Sequence, residues 1–324
     1  MKNELFKPIF FKPYYKSVIW GGDAIAALKG ERIDLEKVGE SWEISAVPGH
    51  ESVVAEGPLA GVNICELMAR YGVDFTGRVA AERFGSTFPL LIKLIDAQRD
   101  LSVQVHPDDA LAAERHNSPG KTEMWYVVAA KPGSHIYSGL QAPLSREEYP
   151  AAAADGSIME RIGAHEAEAG QFYFIPAGTL HAIGAGTLIA EVQQTSDITY
   201  RVYDYGRLDA DGRPRELHTE LAADAIDYRF PNPVEPTARR YDSTTPGAVS
   251  CRYFNVDYVA GGTVEVGGNP DSFTILMAVG GPAEITGPDG THTHMGRGTT
   301  AMLAAAAPQH SVHSAGALLV ITIK

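Results

Sequence analysis

The sequence predicts a mostly β protein: a small β-barrel with short helical insertions, followed by a second, smaller β-sandwich or barrel. Three observations lead there. Short apolar runs recur between Gly, Pro and Asp residues. Ligand-type side chains sit at strand spacing inside two of those regions. Three prolines between Phe230 and Thr237 break the chain between two β-rich stretches.

Taken in order, the runs at Ser52–Val54, Leu90–Ile95, Trp125–Val128, Phe172–Ile175 and Thr187–Val192 read as strands. Cys65–Tyr71 and Val79–Phe84 read as helical. Asp108–Arg115 reads as a short capped helix inserted between ligand-bearing strands. Ser145–Ile162 reads as a helical pair, with Ser145-Arg146-Glu147-Glu148 as its cap and Asp155-Gly156 as its break. Beyond the prolines, Tyr253–Asp257, Ser272–Met277 and Leu318–Ile323 read as strands. Residues 1–230 therefore form the first domain and 238–324 the second.

The chemistry concentrates in two motifs. Gln104-Val105-His106 places Gln104 and His106 on one strand face, and Glu123 opens the run Glu-Met-Trp-Tyr-Val-Val. The second motif, Gly170 to His181, has the spacing G-x5-P-x-G-x2-H. There Pro176-Ala177-Gly178 ends one strand and turns the chain, so His181 points inward from the next. Gln104, His106, Glu123 and His181 make a mixed N/O set that suits Zn, Mn, Fe, Co or Ni. The stretch Gly298–His310 is a blurred echo of Gly170–His181, in a domain expected to have lost its metal site. His292, His294 and His310 have no carboxylate following at a useful spacing, so they are not read as a second centre.

Composition narrows the function. The chain has 324 residues, 44% hydrophobic and 21% charged, enough for one or two cores. A formal net charge of −13 argues against nucleic acid as a partner, while leaving room for a local basic pocket. No apolar run is long enough for a bilayer, and residues 1–8 lack the apolar core of a secretory signal. Cys65 and Cys251 read as buried small hydrophobes, which suits the cytoplasm.

The two motifs resemble the cupin signature, which implies a double-stranded β-helix, or jelly roll, with a degenerate cupin-like second domain. Further segments are similar to type I mannose-6-phosphate isomerases in their short bacterial form. They are Gln104–Asp109, Gly120–Tyr126, Glu191–Gln194 and Tyr200–Asp204, with Ile19–Gly22, Gly39–Ser45 and Phe88–Lys93 toward the start. The similarity covers about the first two thirds of the chain. Two positions depart from the pattern. Ala185 stands where the ordinary second cupin motif has Asn, and Val202–Arg207 follows Arg201 where the longer branch carries Thr-Pro-Lys.

The resemblance implies an aldose–ketose isomerase acting on mannose 6-phosphate and fructose 6-phosphate through an enediol. It implies one divalent metal per chain, with zinc foremost, on Gln104, His106, Glu123 and His181. Arg201 matches the active-site arginine and Glu191 the acidic residue that handles protons. Lys121, two residues before Glu123, is placed on the same strand face, near the reacting oxygens. Lys93, a charge within an apolar run, must pair with a carboxylate or touch substrate. Lys93, Lys121 and Arg201 are thus the substrate-binding candidates. Trp20, Trp42 and Glu43 read as core and pocket wall. The expected partner is a small sugar phosphate, with the chain a monomer or homodimer. Two other readings compete: an iron oxygenase built on two His and a carboxylate, and a non-catalytic sugar-binding cupin. Lys121, Arg201 and the fourth ligand favour the isomerase over both.

Overall fold

The computed structural model describes residues 3–208, 211–232 and 238–324. Four antiparallel sheets pair into two sandwiches. In the first, a seven-stranded sheet runs Arg239–Arg240, Gln171–Ile175, Glu123–Ala130, Thr187–Gln194, Leu90–Ala97, Val38–Ile44 and Tyr14–Gly22. Facing it, a five-stranded sheet runs Tyr200–Tyr203, Val103–Val105, His181–Ile183, His135–Leu140 and Ile162–Glu166. The second sandwich has a six-stranded sheet, with Thr274–Ala278 and Leu318–Thr322 at its centre, and a four-stranded outer sheet. This is the expected jelly-roll architecture.

The two sandwiches share a core. Leu90–Ala97 is buried on both faces, which is why it reads as a continuous apolar run. Ile95 packs inside the first sandwich with Trp125, Tyr173 and Ile189. Leu90, Ile92 and Leu94 point the other way and join a cluster with Ile275, Met277 and Ile321 of the second. Phe273 stacks on Phe88 at 4.9 Å between ring centres. The chain also crosses over at its ends. Ile9–Phe10 pairs with Ala301 and Met302 in the second sandwich, and Arg239–Arg240 pairs with Gln171 and Phe172 in the first. Of the proline-rich break, residues 233–237 lie outside the described residues.

Several elements differ from the sequence reading. Ser52–Val54 makes only isolated bridges, from Val53 to Asn63 and Val54 to Phe11. The helical pair ends early: Tyr149–Asp155 is followed by a short 3-10 turn, and Ile162 already begins a strand. Gly156, at φ 83°, makes the break between them. Ser145 and Glu148 exchange the expected cap bonds just ahead of that helix. Cys65 is exposed and Cys251 half-buried, not core residues. The helix Ile64–Tyr71 buries Ile64, Leu67 and Met68, which turns Cys65 outward. No helix among the described residues is long and apolar enough to cross a membrane.

Candidate active site

Strand register assembles the site from two facing rows. In the seven-stranded sheet, Trp42, Lys93, Glu191, Trp125 and Tyr173 lie side by side across five strands. One step along, Gln193 stands opposite Glu123. In the five-stranded sheet, Arg201, Gln104 and His181 form the facing row. Directly paired residues share a face, so each row presents its side chains together. Trp42, Lys93 and Glu191 on one side, and Gln104 and Arg201 on the other, line a single cavity of about 280 Å³.

The turns that carry the candidate ligands are stapled to one another. Asp108 caps the helix Asp109–His116 by accepting from Leu111 N–H at 2.9 Å. Gly120 passes so close to that cap that a Cβ would lie 2.5 Å from Asp108 backbone, so only glycine fits. Thr122 Oγ1 accepts from Ala177 N–H, and Gly178 N–H donates to the His106 carbonyl at 2.9 Å. These bonds bring both motifs to one point. Lys121 lies in the loop ahead of the strand rather than on it, yet its ammonium reaches the same point and is buried.

His106, Glu123 and His181 converge there, fully buried. His106 Nδ1–H donates to the Ile198 carbonyl at 3.0 Å, and His181 Nδ1–H to the Thr179 carbonyl at 2.8 Å. A carbonyl only accepts, so each Nε2 is left as a lone pair. The two Nε2 atoms lie 3.1 Å apart, with Glu123 oxygens 3.5 Å from His106 Nε2 and 3.4 Å from His181 Nε2. Neither Glu123 oxygen accepts a hydrogen bond. Four acceptors aimed at one another repel unless a cation lies among them. Their separations match donors sharing one ion with bonds of about 2.0–2.2 Å. The cage therefore fits a divalent metal. Lys121 Nζ, 3.1 Å from His106 Nε2 and 3.3 Å from Glu123, supplies part of the required charge.

The electrostatics agree. Burial, reinforced by Lys121, pushes the His106 imidazolium down to about 3. Burial also lowers His181, so both rings stay neutral, as ligands must. Burial opposes ionisation of Glu123, but Lys121 and the two histidines pull it well below the usual carboxylate range.

A second group of charges sits beside the cage. Lys93 Nζ lies 2.8 Å from Gln193 Oε1, 3.1 Å from Glu191 and 3.7 Å from Glu40. Burial lowers the Lys93 ammonium, but Glu191 and Glu40 more than offset this and raise it. Glu191 Oε1 accepts from Trp125 Nε1–H at 2.9 Å. Burial raises Glu191 despite Lys93. Glu191 thus pairs with Lys93. Arg201 donates from Nη1 to the Glu216 carbonyl at 2.7 Å and leaves its buried Nε unpartnered. Trp20 and Trp42 form pocket wall as expected. Glu43 points to the other face of its strand, where Lys29 pairs with it at 2.7 Å.

Comparison with known proteins shows which family the chain belongs to. A family model described as "Phosphomannose isomerase type I, catalytic domain" matches residues 9–128. The mannose-6-phosphate isomerase of Streptococcus mutans is 42% identical over 230 residues, 71% of each chain. Mannose-6-phosphate isomerase ManA of Bacillus subtilis is 39% identical over 255 residues, 77% of this chain and 78% of that protein. The chain belongs to the mannose-6-phosphate isomerase family. The crystal structure of mannose 6-phosphate isomerase from Bacillus subtilis superposes with a TM-score of 0.84 at 33% identity, covering 98% of this chain and 99% of that one.

Within this family member, four charged cavity residues escaped sequence reading: Lys16, Glu40, Asp197 and Arg215. Glu40 accepts from Trp42 Nε1–H at 2.7 Å and faces both Lys93 and Lys16. It is half-buried, and although desolvation opposes its charge, Lys93 and Lys16 hold it below the ordinary carboxylate range. Its place in Gly39-Glu40-Ser41-Trp42, alternating with Trp42, was the available signal. Asp197 and Arg215 also line the cavity. They come from loops, where no periodicity marks a functional side chain.

Proposed function

We propose that the cage of His106, Glu123 and His181, with Gln104 as fourth ligand, holds one divalent ion, zinc in the first instance. When bound, such an ion polarises a carbonyl and orients neighbouring hydroxyls without redox change. The protein is an aldose–ketose isomerase, interconverting mannose 6-phosphate and fructose 6-phosphate through an enediol. The carrying observation is a lone-pair cage opening beside a cavity that holds Lys93, Lys121, Glu191 and Arg201 together. Neither an oxygenase nor a sugar-binding reading requires that basic set.

The residues divide the work as follows. Glu191, raised by burial, takes the proton from C2 of the aldose and returns it to C1, while a second proton passes from O2 to O1 within the enediol. Lys93 stabilises its ionised form. Lys121 and Arg201 offer positive charge to the enediolate oxygens as they develop. Arg201 and Arg215 both line the cavity, and these two guanidinium groups hold the phosphate. Asp204 orients Arg215 through Nε at 2.7 Å and Nη2 at 2.5 Å. Residues 1–230 form the catalytic unit and 238–324 its packing partner. The chain works in the cytoplasm, as a monomer or homodimer.

The test is interconversion of mannose 6-phosphate and fructose 6-phosphate by purified protein. Runs as isolated, after chelator, and after return of Zn, Mn, Co or Fe are compared. Loss to chelator and recovery with one of these ions is expected. Full activity after complete metal removal would overturn the role given to the cage.

A further inference from the structure

The four-stranded outer sheet of the second sandwich turns one face to solvent. His292 and His294 sit two apart on the strand His292–Met295, both exposed, so both imidazoles leave that face. The ladder places Glu284 directly opposite His294, and His313 opposite Glu284 on its other side. Such partners have Cβ atoms about 4.5–5.5 Å apart. Glu284 Oε1 lies 3.0 Å from His292 Nδ1. That is also roughly the separation of two donors on one ion with bonds of about 2.0–2.2 Å.

Sequence spacing hid this arrangement, because the carboxylate precedes the histidines and arrives from the neighbouring strand. His310, the other histidine of that region, is buried and donates its Nδ1–H to the Pro308 carbonyl, so it takes no part.

We propose that Glu284, His292 and His294 form a surface site for a borderline transition-metal ion, separate from the catalytic cage. The ion replaces the proton that His292 and Glu284 share, and His294 swings in by a rotamer change open to an exposed side chain. Two imidazoles and a carboxylate on a paired strand edge make a chelate whose backbone is already fixed, so little order is lost on binding. Affinity follows the ligand chemistry, with Cu²⁺ held more tightly than Ni²⁺ or Zn²⁺. Solvent exposure leaves this site weaker than the cage.

The experiment is equilibrium dialysis of the zinc-loaded protein against micromolar Cu²⁺, with bound metal counted per chain. Wild type is compared with the double variant His292→Ala/His294→Ala and with Glu284→Gln. The double variant is expected to bind one copper equivalent fewer than wild type. Glu284→Gln is expected to weaken that equivalent at least several-fold. Isomerase activity is expected to be unchanged in both, which certifies their fold. Equal copper counts in wild type and double variant overturn the proposal. Because the readout is a difference between variants, it stands whether or not the cage holds zinc.

Discussion

His181 and His310 occupy matching places in the two sandwiches and have opposite fates. Each opens a strand after a turn, each is buried, and each donates Nδ1–H to the carbonyl two residues back, at 2.8 Å and 2.7 Å respectively. Around His181, the free Nε2 meets His106 and Glu123. Around His310, the nearby wall is Gly287 and the cavity contains no second histidine. The strand that follows differs as well. Thr187–Gln194 carries Glu191, while Leu318–Thr322 carries only aliphatic residues before its final Thr. An oriented imidazole is therefore a feature of the fold's turn, and a metal centre needs partners that other strands must bring.

The largest test of that contrast pairs two substitutions. His181→Ala should remove bound metal and reduce turnover to background, as should His106→Ala or Glu123→Ala. His310→Ala should leave both metal content and turnover unchanged. Metal analysis beside the isomerase assay reads this directly, and loss of metal in His310→Ala would erase the distinction.

Next comes Glu191→Gln, which makes the following strand uncharged like its counterpart. Turnover should fall about 10²–10⁴-fold with metal retained. Glu191 must be ionised to accept a proton, and burial raises its pKa. Wild-type kcat should accordingly fall as pH drops through a midpoint above the usual carboxylate range, and the variant should lose that acid limb. An unchanged acid limb would assign it to another group.

The guanidinium pair offers a smaller effect. Arg215→Ala should lower kcat/KM for mannose 6-phosphate about 10- to 100-fold, the loss of one charged hydrogen-bonding group. Turnover of unphosphorylated mannose, if measurable, should change little. Arg201→Ala should keep metal but lose kcat as well. Equal losses on both substrates in Arg215→Ala would remove it from the phosphate site.

Smallest is Trp125→Phe. Its indole N–H stabilises ionised Glu191. Removing it raises the Glu191 pKa further, so the acid limb should move to higher pH. The rate near neutrality should fall only a few-fold. A shift to lower pH would contradict the assigned hydrogen bond.

Much of the first sandwich was legible because its chemistry falls on punctuated strands. Gln104 and His106 obey the two-residue period, Pro176-Ala177-Gly178 announces the turn, and Glu191 interrupts an apolar strand. The family resemblance then supplied roles that spacing alone leaves open. What remained hidden depends on which strands become neighbours. Nothing in the order of residues pairs Lys93 with both Glu40 and Glu191, or sets Glu284 against His294. Those partners follow from register, and register is settled by the whole sheet. Cys65 was misread because helix phase, not residue type, decided its exposure.

The doubly buried strand Leu90–Ala97 has a consequence for how the molecule is maintained. One face holds Lys93 in the cavity, and the other is sealed by the second sandwich. Each large aliphatic side chain uncovered there would cost about 1.5–3 kcal/mol. The C-terminal third thus serves as a resident chaperone for the catalytic sheet. It is a cover built into the same chain, joined to the catalytic sheet through one continuous apolar core.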